Sequence, residues 1–448
     1  MPDSNTDSLS ILSDLIAQAK KAGADAADAV LAEGTSLTLA RRLDKPEHLE
    51  RAEGTDLGLR VFMGKRQAIV SSSDLGKRAL DELVERAVAM AKVVPEDAFC
   101  GLADPDQLAH DFPDFDGCDP VEPTPETLAE RARIAEEAAR AVAGITNSEG
   151  AQASWGQSTV AFAASNGFAR ARVSSSHSIS VSVLAGEGLG MERDYDYTSA
   201  VHAADLESPE AVGRRAGERA VKRLKPRKAT SAQVPVVYDP RVADSLIRHL
   251  AGAVMGPAVA RGTTFLKDKL GQRIFAPGIA VIDDPHRRRG LRSKAYDGEG
   301  IATRKKSVID DGVLTTWILD LGSARQLGLE TTGNASRGTT SPPSPSTTNF
   351  YLAAGARSPK DLIADIKSGF YVTELIGMGV NGVTGDYSRG ASGFWIESGE
   401  LAYPVSEITV AGNLKDMFLN MTPADDLEFR HATDAPTVRV DGMTVAGR

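Results

Sequence analysis

The chain has 448 residues, of which 42% are apolar, 25% charged and 5% aromatic. This composition is typical of a soluble globular protein long enough for two or three domains, and it excludes collagen-like, coiled-coil and disordered chains. No apolar run approaches the roughly 18 residues that a membrane-spanning helix requires. The first residues, "MPDSNTDSLS", lack the basic and apolar regions of a secretory signal. We therefore expect no membrane partner.

The net charge and the cysteine content indicate which partners and which cellular compartment to expect. The net charge is -10 and the sequence pI is about 5.4. An acidic chain is not attracted non-specifically to phosphate backbones, so we expect no nucleic-acid partner. Two cysteines, Cys100 and Cys118, do not make a disulfide framework. A reducing cytoplasm is therefore the expected compartment.

The first part of the chain, residues 1–95, predicts a small helix-and-sheet unit. Apolar residues at helical spacing predict a helix over residues 8–22, and alternating runs such as "LGLRVFMG" predict strands after it. A second helix is predicted from Asp74, as its N-cap, to about Pro95. Residues 96–123 are rich in Pro and Asp, and they predict an irregular connection.

The same order of elements recurs in residues 124–230. Pro125 begins a predicted helix, and the Asn166-Gly167 pair predicts a hairpin between strands. Ser208 and Pro209, as cap and first-turn proline, open another helix. This segment is predicted to be a second small helix-and-sheet unit.

Residues 231–448 predict a larger, β-rich C-terminal domain. Hairpin signals stand at Asp311-Gly312 and Ser398-Gly399. Between them, residues 337–349, "RGTTSPPSPSTTN", are low in complexity and predict a mobile loop. A helix, "DSLIRHLAGAVMG", follows the strand-like "VPVVYD". The predicted fold class is α+β, with two small helix-and-sheet N-terminal units followed by this β-rich domain.

Motifs of common active sites are incomplete or missing. The closest two of the seven histidines, His177 and His202, are far apart in sequence, so no pair has the helical spacing of zinc ligands. The segment "GMGVNG" at 377–382 fits the dinucleotide-binding pattern, but no helix-forming segment follows, which favours a Gly-rich turn between strands. The acidic pairs Asp283-Asp284 and Asp310-Asp311 stand beside Pro or Gly, and we interpret both as turn residues.

Several long motifs resemble one family. The segments "MERDYDYT" (191–198), "TGDYSRGASGFWIESGE" (384–400) and "YPVSEITVAGNLKDMF" (403–418) resemble the PmbA, or TldE, branch of the TldD/PmbA family, named modulators of DNA gyrase. "EGTDLGLRVF" and "PRK" at 226–228 fit as well, so the resemblance covers nearly the whole chain. It implies a cytoplasmic two-component peptidase, in which a TldD-type subunit holds zinc on an H-E-x-x-x-H helix and a TldE-type subunit pairs with it.

Carried over position by position, that zinc helix falls on "DSLIRHLAGAVMG". The first His position is Ile247, the Glu position is Arg248 and the second His position is Gly252. None can perform the role, because Ile and Gly offer no lone pair and Arg is a permanent cation. The neighbouring His249 lies about 100° around the helix from the Arg248 position, so we interpret it as a packing or interface residue. The resemblance thus implies no metal and no catalytic residue in this chain, with zinc in the partner subunit.

The resulting hypothesis is a non-catalytic PmbA/TldE subunit that helps to form a peptide-binding chamber. Within "TGDYSRG", Gly385, Asp386 and Arg389 are the peptide-binding candidates, although Asp386 and Arg389 can equally cap a tight turn. The expected partners are a TldD-type subunit and a peptide substrate, and a homodimer of the isolated chain stays open.

Two rival hypotheses also stay open. The first is an autonomous metallopeptidase with a zinc site assembled from dispersed residues such as His249, His286 and Asp283. The second is a regulatory binding protein that acts on gyrase or on nucleic acid, as the older family name suggests.

Overall fold

The computed structural model describes residues 4–447, and these combine helices with three sheets and a short two-stranded ribbon. The helices are α1 (Ser4–Lys21), α2 (Lys77–Ala91), α3 (Pro125–Arg140), α4 (Pro209–Lys222), α5 (Pro240–Ala253), α6 (Gly256–Ala260), α7 (Leu321–Leu327), α8 (Pro359–Ile363) and α9 (Leu414–Leu419). Within residues 4–447, no helix has both the length and the apolar character needed to cross a membrane. The α+β class predicted from the sequence is confirmed.

The N-terminal half is built on one antiparallel sheet with the strand order β3-β2-β1-β4-β5-β6. Its strands are β1 (Ala26–Arg42), β2 (Lys45–Met63), β3 (Arg66–Ser72), β4 (Ile145–Ala164), β5 (Ala169–Ala185) and β6 (Glu192–Ala200). Strand β1 of the first predicted unit pairs with β4 of the second, from Asp28 opposite Ala164 to Arg41 opposite Ala151. The two units therefore share a single continuous sheet.

The two faces of this sheet have different partners. Side chains alternate along a strand, and the odd-numbered residues of β1 face the helices. Ala29 and Leu31 pack with α1 and α2, whereas Leu37 and Leu39 pack with α3 and α4. The opposite face carries Val30, which packs with aromatic residues that include one from the C-terminal domain: Phe162, Phe168 and Tyr296. All four long N-terminal helices thus cover one face, and the C-terminal domain docks on the other.

Local capping explains where several helices begin. Thr124 and Ser208 each accept a hydrogen bond from an amide in the first turn, and each precedes a first-turn proline. These two helix starts are confirmed. The predicted start at Asp74 is wrong, because its carboxylate accepts the Gly76 amide at 2.7 Å in a turn that precedes α2. The hairpin at Asn166-Gly167 is confirmed, with Gly167 at a φ of +99°.

The C-terminal domain contains a six-stranded sheet in the order β16-β15-β14-β7-β19-β17. Its strands are β7 (Ala232–Tyr238), β14 (Ser368–Ile376), β15 (Asp386–Glu397), β16 (Glu400–Asn413), β17 (Met421–Pro423) and β19 (Val438–Ala446). Only β7 and β14 run parallel, and β16 also pairs with β19. The sheet therefore curls until five of its strands close into a ring.

A smaller sheet and a two-stranded ribbon complete this domain. The sheet has the order β10-β9-β8-β13-β18, and the ribbon pairs β11 with β12. These strands are β8 (Val281–Asp283), β9 (Lys306–Asp310), β10 (Val313–Leu314), β11 (Ala335–Ser336), β12 (Ser344–Pro345), β13 (Phe350–Leu352) and β18 (Thr433–Asp434). The hairpins predicted at Asp311-Gly312 and Ser398-Gly399 are confirmed.

The turn interpretation of the acidic pairs is right for two residues and wrong for two. Asp284 accepts the amide of His286 at 3.0 Å, and Asp311 has a left-handed φ of +45° in its hairpin. Asp310 instead ends strand β9. Asp283 is a fully buried strand residue that accepts hydrogen bonds from Asn334 and Thr348 at 2.8 Å each.

The segment predicted to be a mobile loop, residues 337–349, is held at both ends. The Arg337 guanidinium donates to Asp28 of the N-terminal sheet at 3.2 Å. The backbone at Thr339 lies so close to Gly58 that no side chain would fit on that glycine. At the other end, the Thr348 amide donates to the buried Asp283 at 2.6 Å. The prediction of a mobile loop did not include these contacts with distant segments, because composition does not show them.

Asp28, Arg60 and Arg337 form a buried charge cluster where the two halves of the molecule meet. Arg60 Nε donates to Asp28 at 2.7 Å, and the Asp28 side chain is fully buried. Asp28 thus forms ion pairs with two arginines at once, one from each half of the molecule.

Replacing this carboxylate should destabilise the fold strongly. Asp28→Asn keeps the side-chain shape but leaves two buried guanidinium groups without a counter-charge, and such losses cost about 3–5 kcal/mol. We expect the free energy of unfolding, measured by urea titration, to fall by that amount or the variant to fail to fold. The exposed Asp81, which pairs with Lys77 across one turn of α2, supplies the control Asp81→Asn, which should change little. Equal effects of the two variants would contradict the role of the cluster.

Candidate functional site

Helix α5, which was predicted as the segment "DSLIRHLAGAVMG", divides its surface between the core and a cleft. Asp239 caps it by accepting the Arg241 amide at 3.1 Å. Leu246, Ile247 and Leu250 have no exposed side-chain surface and lie in the C-terminal core. The rotation of α5 about its axis is therefore set by this apolar face.

The opposite face of α5 forms one wall of a cleft of about 350 Å³, which we call the α5 cleft. A second wall is the loop between β14 and β15, and a third wall is the segment 263–265. The Phe265 amide donates to the Gly382 carbonyl at 3.0 Å and so joins these two walls. The lining residues are Arg248, His249, Gly252, Ala253, Thr263, Thr264, Phe265, Met378, Val380, Gly382, Arg389 and Leu414. "GMGVNG" is indeed a turn between strands, as the sequence predicted, and it contributes three of these residues.

His249 is half-buried in the wall of this cleft. Its ring packs edge-on against Tyr387 at a centroid distance of 6.0 Å. Nε2 is buried and has no hydrogen-bond partner among the described residues. Burial, and then the positive charge of Arg389, lower the pKa of His249 below its usual value of 6.5. The histidine therefore presents a neutral ring with an unused nitrogen.

The three residues predicted as peptide-binding candidates have different surroundings. Gly385 has a left-handed φ of +88°, which glycine adopts without strain. Asp386 accepts hydrogen bonds from the Thr384 hydroxyl at 2.6 Å and from the Asn413 amide at 3.0 Å, and these bonds lower the pKa of its carboxyl group. This geometry favours the turn-capping alternative for Asp386. Arg389 lines the α5 cleft beside His249, so the structure brings together two residues that the sequence analysis treated separately.

The residues at the zinc-helix positions do not fit a metal ion. Ile247 lies in the core, and Gly252 faces open space with no ligand atom. Arg248 is bonded to Asp244 at 2.7 Å, and its charge would repel a cation. No zinc site can therefore be built on this face of α5 from the residues present.

The dispersed residues of the autonomous-enzyme hypothesis do not converge either. His286 stacks on Phe115 at 5.0 Å and shares a hydrogen bond of 3.1 Å with Thr303. Asp283 lies in a separate buried network, and His249 faces the α5 cleft. In the part of the chain that the structure describes, no group of three His, Cys, Asp or Glu side chains could hold a metal ion.

Part of the cleft lining has no signal in the sequence. Thr263, Thr264 and Phe265 belong to no motif, and they meet α5 only through the fold. One signal was available, because Met378 is an apolar residue inside a Gly-rich turn, where it is 90% exposed. An exposed apolar residue beside a cleft is typical of a binding surface.

Comparison with known proteins identifies the chain by all three of its segments. Residues 27–91, 118–224 and 231–447 match domain 1, the central domain and the C-terminal domain of the PmbA/TldA metallopeptidases. The chain is 38% identical to metalloprotease PmbA of Escherichia coli O157:H7, covering 95% of this chain and 93% of that protein. It is 36% identical to the PmbA homolog of Haemophilus influenzae, covering 96% and 94%.

Solved structures share the fold over nearly the whole length. A Bacteroides thetaiotaomicron protein, whose name places it among the modulators of DNA gyrase, superposes with a TM-score of 0.90 at 26% identity and covers 100% of both chains. TldE from Thermococcus kodakarensis superposes with a TM-score of 0.87 at 21% identity, covering 98% of this chain and 100% of that one. At the latter identity, the likeness concerns the fold alone.

The electrostatic contact between Arg389 and His249 gives a testable pH effect. We expect the His249 ring to titrate below 6.5 in an NMR titration, and Arg389→Gln to raise this pKa because it removes the nearby positive charge. The control Arg273→Gln removes an exposed arginine that pairs with Asp311, and it should leave His249 unchanged. An unshifted pKa of His249 in the unsubstituted protein would contradict this description.

The same shift predicts how His249 affects stability. As the pH falls through 6.5, His249 takes up a proton in the unfolded chain before it does so in the folded chain, because its pKa is lower in the folded state. Protonation therefore favours the unfolded chain, and the free energy of unfolding falls on the acid side. The variant His249→Gln should therefore lose less free energy of unfolding than the unsubstituted protein over this pH range. Equal losses in urea titrations at matched pH values would contradict this expectation.

Proposed function

The chain belongs to the PmbA/TldA metallopeptidase family, and from this premise we propose that it is the non-catalytic PmbA/TldE subunit of a two-component zinc metallopeptidase. A TldD-type subunit would hold the zinc ion, and the complex would act in the cytoplasm in peptide proteolysis and peptide maturation. The isolated chain would carry no metal of its own.

One observation carries the proposal. The helix in the place of the family's zinc helix has its first ligand position buried in the core, its base position occupied by a paired arginine and its second ligand position occupied by glycine. A folded helix with an apolar face and a cap supports a retained structural role. The chain would then contribute shape and binding surface to the chamber, while the partner performs the hydrolysis.

The loop beside the α5 cleft supports a contact with the partner. Ile376, Met378 and Val383 are 60%, 90% and 54% exposed within one short segment. Contiguous exposed apolar residues are costly in water, and burying them on association is favourable. We place part of the TldD-type interface on this segment, where the partner would cover one side of the cleft.

Co-expression with the TldD-type protein of the same organism tests the proposal. We expect peptide cleavage from the co-purified complex and none from either chain alone, because the metal and the complete chamber would be present only together. Replacing the Glu of the partner's H-E-x-x-x-H motif by Gln should abolish cleavage in the complex. Peptidase activity of this chain alone would contradict the proposal.

The proposed interface has its own test. Met378→Glu should weaken the complex by about tenfold or more, since a carboxylate buried against an apolar partner loses its hydration. Val93→Glu is the matched control, because Val93 is 81% exposed and follows α2 on the opposite side of the N-terminal sheet. Size exclusion of the mixed chains gives the measurement. If both variants assemble normally, the interface lies elsewhere.

The nucleic-acid form of the second rival hypothesis is tested by binding to duplex DNA across salt concentrations. Phosphate contacts would give a steep loss of affinity with salt. With a net charge of -10, this chain should show almost no binding and hence no such slope.

A further inference from the structure

Arg389 is a partly buried arginine of the C-terminal domain, and it has no carboxylate partner among the described residues. Two other arginines of this domain pair with carboxylates, Arg241 with Asp194 at 2.8 Å and Arg439 with Asp365 at 2.7 Å. Arg287 and Arg325 also lack a carboxylate, but Arg287 lies over the Phe429 ring and Arg325 donates to backbone carbonyls. Among the described residues, Arg389 makes one long bond of 3.4 Å, from Nε to the Ile376 carbonyl. Its other guanidinium donors therefore make no hydrogen bond to a described residue and are available to a ligand.

The unused groups of Arg389 and His249 line the same cleft from different elements. Arg389 lies on β15 and His249 on α5, and the positive charge of the arginine is felt by the ring. His249 adds a buried nitrogen without a partner. The carboxylate nearest in sequence to each is already engaged, since Asp244 binds Arg248 and Asp386 binds Thr384 and Asn413. This end of the cleft is therefore cationic and under-satisfied, and its chemistry suits an anion.

We propose that the α5 cleft binds the C-terminal carboxylate of a peptide, with Arg389 as the charged anchor and His249 as a hydrogen-bonding neighbour. A planar guanidinium matches a carboxylate with two parallel hydrogen bonds. One free arginine balances one negative charge, which favours a carboxylate over a phosphate dianion. A bound carboxylate also gives the lone His249 nitrogen a partner, because a neutral imidazole can donate from one nitrogen.

The remaining walls suit the last residue of such a peptide. Ala253, Phe265 and Val380 provide apolar surface on the cleft side of the loop and α5. A volume of about 350 Å³ is within the range of small-ligand sites and leaves room for a terminal residue with its carboxylate. The rest of the peptide would leave the cleft at Gly382, which is exposed. Only the choice of a peptide as the carrier of the carboxylate rests on the proposed function.

The test is a fluorescence-anisotropy titration of the full chain alone with a short N-dansylated polyalanine peptide. Three forms are compared: a free C-terminal acid, a C-terminal amide, and an amide with one internal aspartate. We expect the free acid to bind at least about tenfold more tightly than either amide, since a charge-assisted hydrogen-bond pair is lost. Arg389→Gln should reduce the affinity for the acid to that for the amide.

The control variant is Arg66→Gln, which removes an exposed arginine that pairs with Glu96 near α2, and it should bind the acid like the unsubstituted protein. Arg389→Lys keeps the charge without the planar fork, so an intermediate affinity is expected. If circular dichroism shows that Arg389→Gln is unfolded, the affinities for the acid and the amide are compared on the unsubstituted protein and on Arg389→Lys instead.

Three results would overturn the proposal: equal binding of acid and amide, no binding of any peptide, or full affinity of a folded Arg389→Gln variant. Binding of the internal-aspartate amide as tightly as the acid would overturn the assignment to a chain terminus. The titration needs no partner subunit and no cleavage. It can therefore fail while the subunit proposal holds, and it can succeed if the chain proves to need no partner.

Discussion

The burial of one face of α5 determines which of its side chains reach the α5 cleft. Leu246, Ile247 and Leu250 are each fully buried, and each contributes about 1.5–3 kcal/mol relative to exposure. Successive residues of a helix are about 100° apart around its axis, so the buried face fixes which side chains of α5 point away from the core. Arg248 and His249 then reach the α5 cleft, whereas the position of the first zinc ligand points into the core. The same packing thus places Ile247 in the core and Arg248 and His249 at the cleft.

The junction between the two halves of the molecule is the second constraint. The helices cover only one face of the N-terminal sheet, so its other face needs the C-terminal domain. Asp28, Arg60 and Arg337 meet there, and Arg325 donates to the Leu102 carbonyl of the irregular connection at 2.7 Å. Buried charges add little net stability, but a misplaced docking would leave them unpaired. They therefore specify one arrangement of the halves.

Sequence reasoning succeeded where the cause is local. The helix start at Pro125, the cap at Ser208 and the hairpin at Asn166-Gly167 depend on neighbouring residues and were predicted correctly. It failed where the partner is distant in sequence. The pairing of β1 with β4, the burial of Asp283 and the anchoring of residues 337–349 all join segments far apart in the chain. The meeting of His249 with Arg389 is of the same kind, since 140 positions separate them.

The central claim is that this chain supplies structure and binding surface while a partner supplies the metal. It is tested most directly by elemental analysis of zinc in the isolated chain, after purification without chelator and dialysis against trace zinc. The account predicts no stoichiometric zinc, because Ile247, Arg248 and Gly252 cannot hold it. One zinc ion per chain, together with peptidase activity that is lost on chelation, would contradict the account.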